Sequence, residues 1–178
     1  MPKLSDLQYP IGKFNCPEII SMDQVNNWIQ EIETLPVRIE TLIKGFTEDQ
    51  LETSYRPGGW NARQLIHHIH DSHHNGYIRF KWALTEDNPT IKAYNEQKWA
   101  ELFDSKTAPI QLSIDVIKAL HAKWVYFLKG LDDTDLKRAF IHPEGNVVIS
   151  LAEDIGIYAW HGNHHLAHLE IIANKQYR

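Results

Sequence analysis

Four long stretches of the chain repeat apolar residues at every third or fourth position, the spacing that places side chains on one face of an α-helix. The first stretch follows Ser21, a candidate helix cap, and continues to Ile43. Its apolar positions are Val25, Trp28, Ile29, Ile32, Ile39, Leu42 and Ile43. The pattern predicts an amphipathic helix with one face in a hydrophobic core, which Pro36 is expected to kink near its middle.

The second and fourth stretches begin with capping signals. Asn61 is followed three residues later by Gln64, and Ser150 is followed three residues later by Glu153. This is the spacing of a capping box, in which two side chains satisfy the free amides of a helix start. The second helix is therefore predicted to run from Asn61 to about residue 86, and the fourth from Ser150 to about residue 174.

The third helix and the connections on either side of it are predicted from composition and from helix-breaking residues. A helix is predicted from Pro109 to Leu131, and its isolated histidine, His121, is interpreted as a hydrogen-bonded core residue. Before it, the segment 95–104 (NEQKWAELFD) predicts a short helix in a polar connection. After it, the segment 142–150 (HPEGNVVIS) predicts a loop or small hairpin, because a Gly-Asn pair separates two apolar runs.

Four amphipathic helices with almost no strand signal predict an all-α fold, a helix bundle. The sequence has no internal repeat, no low-complexity segment and no linker long enough to separate two domains, so residues 1–178 are predicted to form a single domain. A domain of this size can bury most of its apolar surface without a structural metal. Any bound metal is therefore expected to serve function.

Composition narrows the classes of partner. The chain has 18 Lys and Arg against 23 Asp and Glu, a formal charge of −5, and neither sign forms a block of five or six residues, which predicts no nucleic-acid partner. No segment approaches the roughly 20 apolar residues of a membrane span, and the first residues lack the apolar run of a signal peptide. Cys16 is the only cysteine, which fits a reducing compartment. Together these features predict a cytoplasmic protein without a membrane partner.

Histidines are concentrated in two windows of the predicted helices. Of eleven in the chain, five lie in HHIHDSHH (67–74) on the second helix and four lie in WHGNHHLAH (160–168) on the fourth. Residues four apart on a helix lie on one face, about 6 Å apart along the axis, so two such imidazoles can bind one ion. The two windows predict a metal site between facing helices.

Two pairs on the fourth helix have this spacing, His161 with His165 and His164 with His168. The first pair flanks the apolar arc of the helix, whereas the second lies further toward the polar side. We therefore predict His161 and His165 as metal ligands and interpret His164 and His168 as residues at the rim of the site or behind the ligands.

The second helix leaves a narrower choice. His68 lies at the edge of the apolar arc and is predicted to point inward as a third ligand. His73 lies within the arc and is interpreted as a hydrogen-bonded core histidine. His67, Asp71 and His74 form a separate stripe whose spacing also suits a metal, but a solvated face is the preferred interpretation.

If the three predicted ligands converge, their neutral imidazoles leave a divalent ion with its full charge and with open positions. Such an ion can activate water, polarise a carbonyl group or bind a thiolate. Imidazole suits zinc, nickel, iron and copper, so ligand type does not choose the ion. Asp71 and Asp154 are candidates to orient the ligand rings. No motif identifies a catalytic acid or base.

Three motifs together resemble one family. They are GGWNARQLIHHIHDSHHNGYIRFKWALTED (58–87), YNEQKWAELFDSKTAP (94–109) and YAWHGNHHLAH (158–168), and they are similar to the YfiT-type branch of the DinB-like superfamily. The resemblance extends from YPIGKF near the start to the last helix. It implies a four-helix bundle with a long crossover, a homodimer, and one divalent metal ion per chain, with zinc or nickel as the expected ion.

The ligands that the resemblance implies are the second histidine of the HH pair on the second helix and two histidines four apart on the last helix. In this sequence they correspond to His68, His161 and His165. The chain departs from the family that it resembles at His70 and His74, where smaller or apolar residues are common, and these extra histidines either add a competing metal site or lie on the surface.

The function that the resemblance implies is that of a metal-dependent hydrolase acting on a small-molecule substrate. Related branches resemble transferases that attach low-molecular-weight thiols such as bacillithiol or mycothiol to electrophiles, which is the first alternative. Arg63, Arg79 and Lys81 on the second helix are candidates for binding the carboxylates of such a thiol. A non-catalytic metal-binding bundle is the second alternative.

Overall fold

The computed structural model describes residues 4–175, and its frame is a bundle of four long helices. These are α2 (Met22–Ile43), α4 (Ala62–Thr85), α7 (Ile110–Leu128) and α9 (Leu151–Ala173). The connecting segments contain short helices and one antiparallel hairpin: α1 (Leu4–Gln8), α3 (Glu48–Leu51), α5 (Glu96–Ala100), α6 (Phe103–Thr107), α8 (Asp133–Leu136), β1 (Ala139–His142) and β2 (Val147–Ser150). Within the described residues, none of the helices has both the length and the apolar character that a membrane crossing requires.

The order of the helices around the bundle differs from their order along the chain. Helix α2 packs against α7 and α9, and α4 packs against the same two helices. Consecutive helices α2 and α4 therefore lie at opposite corners, and the segment 44–61 that joins them crosses the end of the bundle. The predicted four-helix bundle with a long crossover is confirmed.

The capping signals in the sequence set the helix starts. The Asn61 side chain accepts a hydrogen bond from the Gln64 amide at 2.8 Å, and the Gln64 side chain accepts one from the Asn61 amide at 3.1 Å. The Ser150 hydroxyl accepts from the Glu153 amide at 3.2 Å. Both helix starts agree with the prediction. The full capping box is present at Asn61, whereas at Ser150 the structure has only the bond to the hydroxyl.

The connections differ from the prediction in two details. The short helix predicted over 95–104 is two helices, α5 and α6, and α7 ends at Leu128 rather than at Leu131. After Leu128 the chain turns, with the Gly130 amide bonded to the Phe127 carbonyl at 3.1 Å. The loop or hairpin after α7 is a hairpin whose turn uses positive φ angles at Gly145 and Asn146, which these two residue types tolerate best.

Two apolar clusters fill the bundle. The first includes the α4 residue Phe80 and ends on α9 at Ala159, and the second includes Ile69 on α4 and begins on α9 at Leu166. Most of the histidine-rich part of α9 lies between the two clusters. Apolar packing therefore lies on either side of these histidines along α9, and a charge on a buried ring there is costly.

A glycine permits close approach of the two histidine-bearing helices. A side-chain carbon at Gly76 on α4 would lie well inside van der Waals contact with the ring of Tyr158 on α9. Since glycine lacks that carbon, the tyrosine ring packs directly against the α4 backbone. The two helices can then bring side chains one turn away into contact with one another.

Candidate metal centre

The structure brings together the three histidines predicted as ligands. His68 comes from α4, and His161 and His165 come from successive turns of α9. One ring nitrogen of each residue lies within 4.8 Å of those of the other two. The Nε2 atoms of His68 and His161 are 3.1 Å apart. The two histidines four residues apart on α9 and the histidine on the inward side of α4 therefore meet at one point.

Burial keeps these imidazoles neutral. It is the largest cause that lowers the pKa of His68 to about 4, and the neighbouring His164 lowers it further. Burial also places the pKa values of His161 and His165 well below the usual value, with further lowering from the surrounding histidines. At neutral pH each ring therefore carries one proton and one free lone pair, the form that binds metal.

The donor set and its spacing fit a divalent cation. Two imidazole nitrogens that share a tetrahedral zinc ion at the usual bond length lie about 3.3 Å apart. The 3.1 Å separation of the His68 and His161 Nε2 atoms is close to that value. A divalent cation at this point would accept a lone pair from each ring.

A cavity of about 300 Å³ opens directly onto the three rings. Trp60 covers one side, with its ring 4.6 Å from that of His68. Arg56 and Glu96 line the cavity as well, which adds one basic and one acidic group to its wall. The volume lies at the lower end of the range for small-molecule sites, so a small ligand can reach the three nitrogens.

A second cavity, of about 400 Å³, adjoins the same site through His161. Its wall includes Arg79, whose guanidinium donates a hydrogen bond to the Tyr158 hydroxyl at 3.2 Å. Burial raises the pKa of Tyr94, on the same wall, to about 12. At neutral pH this wall therefore presents the guanidinium charge of Arg79, neutral phenols, and the carboxyl groups of Glu96 and Glu144 next to one of the candidate ligands.

The interpretation of the His67 stripe as a solvated face is wrong for His67 itself. The His67 ring is buried, with Nδ1 2.7 Å from the Ser113 hydroxyl and Nε2 3.2 Å from the Ala108 carbonyl. The start of α7 and the segment before it cover this side of α4. Only the remainder of the stripe faces outward, since His74 is exposed and Asp71 is half-buried.

His164 and His168 are also more buried than the apolar arc of α9 predicted. His164 stacks on Trp160 with ring centroids 4.7 Å apart, and His168 stacks on Tyr55 at 3.8 Å. Only 7% and 1% of their surfaces are exposed. With His165 they form a second group of three histidines whose ring nitrogens lie within 4.8 Å of one another.

The candidate ligands on α9 meet other histidines rather than the carboxylates that the sequence suggested. The Nδ1 atoms of His161 and His165 lie 3.2 Å and 3.3 Å from ring nitrogens of His73 and His168. Asp71 instead lies 3.5 Å from His70. His73 is fully buried and hydrogen-bonded, as its place in the apolar arc predicted.

Among known families, a model described as the DinB superfamily matches residues 31–169 of the chain. This range includes the three histidines that meet at the cavity and all four long helices except the first part of α2 and the last turn of α9.

Relatives of known name align along nearly the whole chain. A protein of Halalkalibacterium halodurans named "putative metal-dependent hydrolase" is 48% identical over 93% of this chain and 95% of its own. A protein of Bacillus cereus with the same name is 51% identical over 97% and 98%. The solved structure of YfiT from Bacillus subtilis, described as a probable metal-dependent hydrolase with an unusual four-helix bundle topology, superposes with a TM-score of 0.93. Its sequence is 43% identical, and the match covers 96% of this chain and 97% of YfiT.

Proposed function

This chain belongs to the DinB superfamily, and we propose that it is a metal-dependent hydrolase of a small-molecule substrate. His68, His161 and His165 would hold one divalent metal ion per chain. The observation that carries the proposal is the convergence of three neutral imidazoles from two helices on the wall of a cavity. The names of the relatives support it, because metal dependence and hydrolysis are part of those names.

A divalent ion held at an open site lowers the pKa of a water molecule bound to it toward neutrality, which is the chemistry that hydrolysis at neutral pH needs. The chain contributes three ligands without charge, so the charge of the ion is not offset. Burial keeps these ligands neutral, and the Trp60 ring shields His68 from bulk water. The cavity beside them leaves room for the scissile group of a small substrate.

Hydrolysis is tested with protein loaded with zinc or with nickel and a panel of activated esters and amides, in the absence of thiols. We expect turnover that requires the metal and disappears in His161→Ala. His74→Ala is the matched control, because His74 is an exposed histidine on α4. If no member of the panel shows metal-dependent turnover, the hydrolase proposal fails and a non-catalytic metal-binding bundle is favoured.

One observation favours thiol transfer as a second candidate. Of the three basic residues suggested for binding a thiol's carboxylates, Arg63 is paired with Glu48 and Glu52, at 2.5 Å and 2.8 Å. Lys81 lies over the ring of Phe127. Arg79 alone of the three lines the cavity beside His161, where a carboxylate could pair with it.

Transfer is tested by incubating the metal-loaded protein with monobromobimane or chlorodinitrobenzene, with and without low-molecular-weight thiols. Adduct formation that requires both metal and thiol, and that weakens in Arg79→Gln, supports a bacillithiol-like S-transferase. Conversion that is equal without any thiol supports the hydrolase instead.

We further propose a homodimer formed through the outer face of α2 and α7. Val37 on α2 and Tyr126 on α7 are 63% and 85% exposed, and both line one groove between the two helices. Two ion pairs, Lys118 with Glu40 and Lys129 with Glu33, join the helices in the same groove. A face that carries both signs of charge around an apolar centre is complementary to a second copy of itself.

The dimer is tested by sedimentation. We expect the unmodified chain to sediment as a dimer and Tyr126→Glu to sediment as a monomer, because the new carboxylate would be buried without a partner. Phe103→Glu is the control, since Phe103 is 81% exposed on α6, away from this face. A monomeric unmodified chain, or a dimeric Tyr126→Glu variant, would reject this interface.

The remaining parts of the proposal concern the ion, the compartment and the extent of the domain. Zinc and nickel both accept imidazole ligands in an open site, and the metal content of protein purified without chelators distinguishes them. A single cysteine, Cys16, supports a reducing compartment and hence the cytoplasm. Relatives that align along nearly the whole length support one domain over residues 1–178.

A further inference from the structure

A series of hydrogen-bonded histidine side chains leads from the candidate metal centre to the backbone of α2. The Nδ1 atom of His161 lies 3.2 Å from Nε2 of His73, and the Nδ1 atom of His73 lies 2.9 Å from Nε2 of His121. The Nδ1 atom of His121 lies 2.7 Å from the carbonyl oxygen of Ile32. Two rings, one from α4 and one from α7, therefore connect one candidate ligand on α9 to a main-chain acceptor.

Proline explains why the Ile32 carbonyl is available. In an α-helix this carbonyl would accept a hydrogen bond from the amide four residues later, but that residue is Pro36, which has no amide hydrogen. His121 on α7 takes its place. The carbonyl is buried in the bundle, so leaving it without a donor would be costly.

A shorter series of hydrogen-bonded histidines starts at His165. Its Nδ1 atom lies 3.3 Å from Nδ1 of His168, and Nε2 of His168 lies 3.1 Å from the carbonyl oxygen of Leu7. Leu7 is in the last turn of α1, where carbonyls lack partners within the helix. Both candidate ligands on α9 are therefore tied through histidine to a carbonyl that its own helix does not satisfy.

The backbone carbonyl at the end of each histidine series determines which ring nitrogens carry the protons. A carbonyl oxygen only accepts, so the His121 Nδ1 must donate to Ile32, and a neutral His121 then has only a lone pair at Nε2. His73 must donate to that lone pair, and His161 must donate to His73 in turn. The proton of His161 is therefore on Nδ1, and the lone pair of its Nε2 faces His68.

The carbonyl of Leu7 determines the ring protons of the shorter histidine series in the same way. His168 donates from Nε2 to Leu7, so its Nδ1 is an acceptor and His165 donates to it from Nδ1. The Nε2 atom of His165 is left with its lone pair. In isolated neutral histidine either nitrogen can carry the proton, but here the fold has selected the same tautomer for both rings.

We propose that His73, His121 and His168 are positioning residues that fix the tautomer and the orientation of His161 and His165 for metal binding. This inference rests on the metal site proposed above. A ring held in the binding tautomer does not have to move its proton or turn before it coordinates, and a hydrogen-bonded Nδ1 makes Nε2 a stronger ligand.

The tautomer of His165 also determines whether the second histidine group (His164, His165 and His168) can bind an ion. His165 belongs to both groups, and a neutral ring offers only one lone pair. If its Nδ1 proton is donated to His168, that nitrogen cannot bind an ion beside His164 and His168. We therefore expect one ion per chain rather than two.

The first test measures zinc affinity by competition with a chelator. His73→Leu is expected to weaken binding by roughly 10- to 100-fold, the usual cost of losing a partner behind a ligand histidine. His73→Gln is expected to recover most of the affinity, because its amide can accept from His161 and donate to His121. A role in packing alone predicts the reverse order or no difference, and would overturn the proposal. His74→Ala serves as the control.

His168 offers an independent comparison. His168→Asn keeps an acceptor near the position of Nδ1, whereas His168→Leu does not, so the asparagine variant is expected to bind zinc the more tightly by about tenfold. Equal affinities would overturn the role of His168. A second equivalent of tightly bound zinc that is lost in His164→Ala would overturn the assignment of one ion per chain.

The last experiment reads the tautomers directly and does not depend on activity or on metal. Nitrogen-15 NMR of the metal-free protein with labelled histidine is expected to show His161 and His165 protonated at Nδ1, with His161 changing in His73→Leu. Protonation of either ring at Nε2 would reject the inference. If zinc fails to bind while the predicted tautomers are seen, the proposed metal site fails and the proton arrangement stands.

Discussion

Replacing His161 by alanine is expected to abolish tight binding of zinc or nickel. His161 is one of only two candidate ligands on α9, and its Nε2 atom lies 3.1 Å from that of His68. With two imidazoles left, the site loses a third of its protein donors and the ring that links α4 to α9. The fall in affinity should therefore lie well beyond the roughly 10- to 100-fold that loss of an outer partner costs.

The measurement is metal content after dialysis, together with chelator competition on refolded and metal-loaded protein. His165→Ala should give the same loss, and His74→Ala should retain about one ion per chain. His164→Ala separates the two histidine groups, because His164 belongs only to the second. Metal content that survives in His161→Ala and is lost in His164→Ala would move the site to the second group.

The sequence predicts the four long helices well because the signals that define them act between residues that are close together in the sequence. Apolar residues at helical spacing and side-chain caps such as Asn61 with Gln64 act within a few residues of one another, and the structure confirms those helix starts. The same locality explains the wrong interpretation of His67. Its position opposite the core of α4 is correct for an isolated helix, but the segment around Ala108 folds back and buries it.

The choice of His161 with His165 and of His68 came from helical faces, and those faces do meet in the structure. The helical faces of α9 predict His168 at the rim of the site or behind the ligands, and it does lie behind His165. The contacts from His161 through His73 and His121 to Ile32 are not predictable from periodicity, because they depend on the rotation of α7. One signal was present in the sequence: a proline inside α2 leaves a carbonyl without an amide partner, and a polar residue from elsewhere must then satisfy it. His121 is that residue, bonded to the carbonyl of Ile32.

The metal-free protein is expected to lose stability steeply as the pH falls below about 6.5. Burial is the main cause that lowers the pKa of both His68 and His121 to about 4, and burial lowers the pKa values of His73, His161 and His165 as well. Unfolding restores an ordinary histidine pKa of about 6.5. Between pH 6.5 and 4 the unfolded chain therefore binds more protons than the folded one, and falling pH favours unfolding.

Two buried aspartates act in the opposite direction. Burial raises the pKa of Asp154 to about 7 and that of Asp71 to about 6, so the folded state keeps protons that the unfolded chain releases above about pH 4. Their contribution to stability grows as the pH falls. The buried histidines outnumber them, and each full proton difference is equivalent to about 1.4 kcal/mol per pH unit. The net loss should be a few kcal/mol per pH unit, against a typical total of about 5–15 kcal/mol.

Urea unfolding of chelator-treated protein at pH 7.5, 6.5 and 5.5 measures this loss, and the urea midpoint is expected to fall between pH 6.5 and pH 5.5. The double variant His73→Leu with His121→Leu is the control, because two groups that gain protons on unfolding are replaced by apolar ones. Its midpoint should depend less steeply on pH, whatever its stability at pH 7.5. A midpoint that stays constant over this range would mean that the folded and unfolded states bind equal numbers of protons, which would contradict the expected loss of stability.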